Sequence, residues 1–237
     1  MHTAIILAAG NSSRIKNSKS KIFLKIKKNT LIDSTISLAK KTNPAEIYIV
    51  IKKKDFIYFK SKKYRNIKFL FQKKPLGTGD AFKTFINSYN GSSNNFLILY
   101  GDTPFINLED INKMLKLINK NPIIILGFKT NKNQDLGLIK VNKKKQVLKI
   151  IEYKNANKND KKINICNSGV FVMNKMAANY TKKIAKDNIA KEYYLTEIIK
   201  ILKRQKIFTK VVITKNILGS KGINTIKDYK LNKIFFN

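Results

Sequence analysis

The chain has 237 residues, 43% of them hydrophobic, enough to bury a sizeable core as one large domain or a domain with a subdomain. Its single cysteine, Cys166, excludes an intrachain disulfide and a thiolate zinc cluster, and its single histidine, His2, at the end of the chain, argues against histidine acid–base catalysis, a Ser-His-Asp triad or a His-ligated metal. The formal charge of +35 is carried by lysines spread along the whole sequence, with Arg14, Arg65 and Arg204 the only arginines, so no specific nucleic-acid partner is expected, since base and phosphate readers favour the guanidinium fork.

An apolar run at residues 4–9, AIILAA, reads as part of a buried strand over 3–8 and breaks into Gly10-Asn11-Ser12-Ser13-Arg14, with Lys21 seven residues further on. A strand ending in a small-residue loop turns backbone N–H groups toward an anion, and a guanidinium and an ammonium follow within reach of it. This is triphosphate chemistry without the Walker spacing and without G-x-G-x-x-G. A plain strand and turn has the same pattern, and both readings stand at this point. The run is too short for a signal peptide, and no apolar stretch approaches a membrane span, so a cytoplasmic protein with no membrane insertion is expected.

A helical pattern follows at 31–41, then strands at 46–51 and 67–72. Gln72-Lys73-Lys74-Pro75-Leu76-Gly77-Thr78-Gly79 opens a helix over 78–89. Its glycines would let the backbone approach a base or ribose, and Gln72 can bond a base edge; a glycine-rich capping turn is the alternative. A strand at 96–100 ends in Tyr100-Gly101-Asp102-Thr103-Pro104, where a carboxylate either bridges Mg²⁺ to phosphate oxygens or shapes an Asx-turn. A helix at 108–118 and a strand at 123–128 complete an alternation typical of a parallel α/β sheet with right-handed crossovers. Ligands of such sheets bind beyond the carboxyl ends of the strands, where Gly10, Gly77 and Gly101-Asp102 all fall.

After about residue 130 the pattern becomes strand-rich, at 136–141, 147–152 and 167–174, with helical stretches near 175–185 and 194–204 and a strand at 208–213. This predicts a second lobe that closes over the ligand. The Lys/Asn-rich segment 154–164 reads as a solvated loop. Residues 226–236 read as a short helix whose apolar side chains pack back or meet a partner. Glu152 and Asn167 lie at strand edges where a polar ligand would be read, and Asn224 either completes a metal site or shapes a turn.

LAAGNSSR with Lys21, then FQKKPLGTGDA, LYGDTP, IIEYKNA, NSGVFVMN, EYYLTE and GIN occur in family order from Ile5 to about Asp228. On these motifs the chain resembles the uridyltransferase (pyrophosphorylase) domain of the bacterial enzyme that makes UDP-N-acetylglucosamine from N-acetylglucosamine-1-phosphate and UTP. The first motif is common to sugar nucleotidyltransferases; LGTGDA with EYKNA, NSG and EYYLTE points to the hexosamine branch. The resemblance implies an α/β, Rossmann-like nucleotidyltransferase fold with a mostly parallel central sheet, helices on both faces and a smaller sugar-binding lobe. It implies one nucleotidyltransferase domain over 1–237, with a nucleotide half at 1–130 and a sugar-phosphate half and C-terminal segment at 131–237. By motif, Leu7, Ala8, Ala9 and Gly10 would surround the nucleotide and Gln72, Gly77 and Thr78 would hold the uridine, with Tyr100 and Gly101 beside them. Arg14 and Lys21 would be catalytic, neutralising the triphosphate and departing pyrophosphate. Asp102 and Asn224 would bind Mg²⁺, and Gly137, Glu152, Asn167, Tyr194 and Thr196 would line the sugar-phosphate pocket.

Several positions depart from the family pattern. Ser12 replaces a glycine of the loop, Ser20 the proline before Lys21, and Pro75 a glutamine near the base, which puts strict uracil selectivity in doubt. Leu136-Gly137-Leu138 replaces Y-G-R. The family's full-length enzyme continues into a left-handed β-helix of hexapeptide repeats that acetylates glucosamine-1-phosphate; with no such repeats up to Asn237, the expectation is no acetyltransferase activity, no trimer built that way, and acetylation by a separate protein of the same pathway. The competing readings are a nucleotidyltransferase for another sugar-1-phosphate or NTP, and an inactive nucleotide- or nucleic-acid-binding module.

Overall fold

The computed structural model describes residues 1–10, 20–186 and 191–236. In the first half, strands β1 (Thr3–Leu7), β4 (Glu46–Ile51), β5 (Ile67–Phe71), β6 (Asn95–Tyr100) and β7 (Ile123–Lys129) alternate with helices α1 (Leu31–Lys41), α2 (Thr78–Ser88) and α3 (Leu108–Leu117). A two-stranded hairpin, β2 (Lys25–Ile26) with β3 (Asn29–Thr30), leads into α1. The second half holds β8 (Gly137–Val141), β9 (Gln146–Glu152), β10 (Ile165–Asn174), α4 (Lys175–Asn179), α5 (Ile198–Arg204), β11 (Thr209–Thr214), α6 (Ile217–Ser220) and α7 (Ile226–Phe235).

The central strands are apolar at consecutive positions because both faces are covered. Successive side chains of β1 enter opposite layers: Ala4 and Ile6 join Ile32, Ile36, Ile111 and Met114 from α1 and α3, and Ile5 and Leu7 join Ala81, Phe82, Phe85 and Ile198 from α2 and α5. Local signals set the helix limits. Thr30 and Asp33 form a reciprocal capping box at the start of α1, and Lys40 and Lys41 sit in its last turn.

The main sheet has the order β5-β4-β1-β6-β10-β7-β11-β9-β8. β10 pairs antiparallel with both β6 and β7, and β9 pairs antiparallel with β11 and β8; the remaining strands share one direction. β10 pairs with β6 only from Phe171 to Asn174. A register shift between Asn167 and Phe171, with Gly169 at φ +84, then carries β10 on between β7 and β8. The sheet therefore parts at the carboxyl end of β6, and β10, from the second half of the chain, lies at its centre.

Some elements differ from the sequence expectation. The helix expected near 175–185 divides into α4 and a 3-10 turn at Tyr180–Lys183, where the Thr181 hydroxyl donates to Ala178 O at 2.6 Å. The segment 154–164 is not simply solvated: Ala156 and Asp160 are buried. Asp160 sits in a 3-10 turn at 3.5 Å from both Lys140 of β8 and Lys149 of β9, where an acid can offset their charge. At the C-terminus, Phe236 stacks on Phe105 at 4.0 Å between ring centroids, while Ile234 and Phe235 stay exposed at 75% and 66%. His2 is buried beside Thr42 (2.9 Å); the Thr42 hydroxyl donates to Ala39 O, so the imidazole N–H is the donor to Thr42. Among the described residues no helix is long and apolar enough to cross a membrane.

Candidate active site

A cavity of about 510 Å³ opens where the sheet parts, beyond the carboxyl ends of β1, β5 and β6. Every candidate site residue within the described chain lines it; Arg14, and with it Ser12, lies outside the described residues. Leu7, Ala8, Ala9 and Gly10 form one wall. Ala8 N donates to Val50 O of β4 and Gly101 N to Leu7 O, so the turns after β1 and β6 are tied together. A Cβ at Gly101 would lie 3.0 Å from that of Ala8, a tight contact that favours glycine at this close approach.

Gln72 is buried, and its side-chain amide nitrogen donates to Gly77 O (3.2 Å) and to the Asp80 carboxylate (2.7 Å). Both partners are acceptors, which assigns the amide and leaves Oε1 as the Gln72 atom available to a ligand. The glycines of this loop answer to a different neighbour than expected. A Cβ at Gly77 (φ +104) would come within 2.6 Å of Tyr193 O, and one at Gly79 within 2.9 Å of the same atom. Gly79 N donates to Tyr193 O and Tyr193 N to Leu76 O, both at 2.7 Å. These glycines thus admit the backbone of the EYYLTE segment, and Gly77 also lines the cavity. Thr78 strengthens the junction: its hydroxyl accepts from Leu195 N at 3.0 Å and is hydrogen-bonded to the Tyr100 phenol. Burial pushes Tyr100 ionisation far above its ordinary range, so it remains a neutral phenol.

On the opposite side, the Thr196 hydroxyl reaches Glu152 Oε1 at 3.4 Å. Asn167 Oδ1 accepts from Gly169 N at 3.0 Å, leaving its amide nitrogen available. Gly137 lies between them: a Cβ there would be 3.4 Å from Asn167 Cβ and 3.7 Å from Glu152 Oε1. Tyr194 is hydrogen-bonded to Lys154, and burial is the main influence raising its pKa and keeping the phenol neutral.

Lys21, Asp102 and Asn224 meet at one corner. The Lys21 ammonium is bonded to the Asp102 carboxylate and donates to Asn224 Oδ1 at 2.7 Å. Among the described residues no three His, Cys, Asp or Glu side chains gather around a metal position. The Asp102–Asn224 corner still fits the Mg²⁺ that the motif resemblance implies, because two hard oxygens converge on one cationic atom and Mg²⁺ takes one or two such protein ligands with phosphate and water.

Several lining residues were not singled out in the sequence. Asp135, a non-glycine at φ +63, and Glu192 add carboxylates, while Ser168 and Gly169 belong to the β10 bulge. Only the register shift brings that bulge to the cavity, although NSG at 167–169 marked its place.

Residues 4–161 match the MobA-like NTP transferase domain family. The bifunctional protein GlmU of Buchnera aphidicola subsp. Baizongia pistaciae is 38% identical over 202 residues, 83% of this chain and 44% of that protein. GlmU of Francisella tularensis subsp. novicida is 31% identical over 223 residues, 94% of this chain and 49% of that protein. The chain spans about half the length of these curated relatives. Among solved structures, HddC from Yersinia pseudotuberculosis complexed with GMP-PN superposes with a TM-score of 0.73 at 19% identity, over 100% of both chains. A putative glucose-1-phosphate thymidylyltransferase from Bacillus anthracis gives 0.77 at 14% identity, over 99% of this chain and 95% of that one. At such identities the structural likeness is one of fold.

Proposed function

The chain belongs to the MobA-like NTP transferase family, and on that premise we propose that it transfers the uridylyl group of UTP to N-acetylglucosamine-1-phosphate, releasing pyrophosphate. The observation that carries this reading is the convergence on one cavity of segments scattered from Leu7 to Asn224. The 38% identity to a bifunctional GlmU supports the hexosamine substrate.

The attacking sugar-phosphate oxygen is already an anion, so the reaction needs no histidine base. A new O–P bond forms at the α-phosphorus as the bond to the pyrophosphate oxygen breaks, and the electron pair leaves on pyrophosphate. What the chain must supply is in-line positioning and neutralisation of charge. The Lys21 ammonium and the N–H of Gly10 would take that role, with Arg14 added by motif. Gln72 Oε1 offers an acceptor, which suits the N3–H of uracil or thymine and disfavours cytosine, whose N3 is itself an acceptor. Glu152, Asn167, Tyr194 and Thr196 would orient the sugar. Asp102 and Asn224 would hold Mg²⁺, which when bound supplies Lewis-acid stabilisation of phosphate oxygens.

The test is pyrophosphate release by purified protein with Mg²⁺, UTP and N-acetylglucosamine-1-phosphate, with glucosamine-1-phosphate and glucose-1-phosphate in parallel, and dTTP, CTP and GTP in place of UTP. Release that requires UTP and the acetylated sugar is the expected result. Release with another pair moves the substrate and keeps the chemistry; Pro75 and Leu136, both lining the cavity, favour examining that outcome. No release with any pair overturns the reading. Arg14→Ala is expected to lower kcat by at least about 10²-fold, the scale of losing one charge-stabilising donor; a near-wild-type kcat removes Arg14 from the mechanism.

A further inference from the structure

We propose that Lys21 is the resident cation of the Asp102–Asn224 corner in the ligand-free protein, so that a divalent metal enters only with the nucleotide, whose phosphates draw Lys21 out of the corner. This rests on the reading of that corner as the metal site for nucleotidyl transfer.

The corner is built before any ligand arrives. Ile223 N donates to Asp102 O at 3.0 Å, which locks the segment before α7 onto the turn after β6. Asn224 Nδ2 donates to Gly222 O at 3.3 Å and Asn224 N to the Asp228 carboxylate at 3.2 Å, so Oδ1 is the atom turned to Lys21. A Cβ at Gly222 would sit 3.1 Å from Asn224 Nδ2 and 3.6 Å from both Asp102 carboxylate oxygens, so no side chain from that position shares the space. Lys21 and Asp102 side chains are only 14% and 15% exposed, which limits solvent screening of the pair.

The ammonium and a divalent ion exclude each other. A metal held by both oxygens would need the place that the Lys21 ammonium now occupies between them, and like charges so close repel strongly. Lys21 is tethered to the chain and loses no translational freedom on occupying the corner, whereas a free ion must displace it. A triphosphate changes the balance by giving both cations oxygen partners. The four-carbon stem and three rotatable donors of lysine suit such a transfer, where the rigid guanidinium fork of arginine does not.

Mn²⁺ is the probe, with free ion counted by electron paramagnetic resonance in nucleotide-free protein. Wild type is expected to bind weakly. Lys21→Met, and Lys21→Gln as a second variant should the first misfold, are expected to bind about 10- to 100-fold more tightly, the scale of one charge-assisted hydrogen-bonded pair that no longer has to be broken. Adding Asp102→Asn to either should abolish the gain. Binding by the Lys21 variants no tighter than wild type overturns the proposal, and so does a gain that survives Asp102→Asn. Pyrophosphate release by wild type separates the two ideas: release without a gain in Mn²⁺ affinity sinks the Lys21 proposal alone, and a gain without release from any substrate pair sinks the transfer reading alone.

Discussion

Gly169 carries two constraints in one residue. It holds φ +84, and a Cβ there would fall 2.6 Å from the Tyr100 ring. Gly169→Ala is therefore expected to cost about 1–3 kcal/mol, from a strained backbone and an overpacked contact, and to lower turnover by displacing Tyr100. Urea denaturation with parallel pyrophosphate assays checks both, and a wild-type midpoint would contradict the constraint. His2 gives a pH dependence of known sign. Burial first, and the N-terminal ammonium second, lower its pKa from 6.5 to about 4. Between these values the unfolded chain holds the extra proton, so stability is full above about pH 6.5 and falls as the pH drops toward 4. The loss should be on the order of 2 kcal/mol and should largely disappear in His2→Gln. Identical pH profiles for the two proteins would refute it.

Among the elements, the joint between the start of α2 and residues 193–195 links the two sides of the cavity. Two backbone bonds and the Thr78 hydroxyl make it. Thr78→Val keeps the shape but leaves Leu195 N without its acceptor and removes the Tyr100 partner, at a cost of about 1–3 kcal/mol. Because Tyr194 and Thr196 belong to the same segment, KM for the sugar phosphate should rise more than KM for the nucleotide. Equal changes in the two would mean the joint does not position the sugar side. The glycines of LGTG were legible as a loop needing open backbone. What fills that space was not, since Tyr193 is more than a hundred residues away in the chain.

For the molecule as a whole, the charge is unevenly placed. Of 14 acidic residues, Asp102, Asp135, Glu152 and Glu192 line the cavity, while Lys21 is the basic side chain among its described lining. The lysines elsewhere repel one another across the surface, and salt screens that repulsion over a Debye length of about 8–10 Å. Raising NaCl from about 10 to about 150 mM should therefore raise Tm, and should lower kcat/KM for the anionic substrates by weakening their long-range attraction. A Tm independent of salt would show that the excess charge is already compensated in the folded state.

By itself, the sequence determined what is encoded within a few residues. Apolar runs became β1, β4, β6 and β7, the Thr30–Asp33 box started α1, and the small-residue ends of β1, β5 and β6 marked the cavity rim. It also named many of the residues that line the cavity, most of them through motifs that the chain shares with sugar nucleotidyltransferases. Tertiary structure alone decided which of these meet. It placed β10 antiparallel at the centre of the sheet, turned Gly77 and Gly79 toward Tyr193, and closed Lys21 onto Asp102 and Asn224, across 81 and 203 residues of chain. Periodicity and capping act between neighbours in sequence, whereas strand partners and ion pairs are chosen by packing the whole core, and no window of the chain contains both members of those pairs.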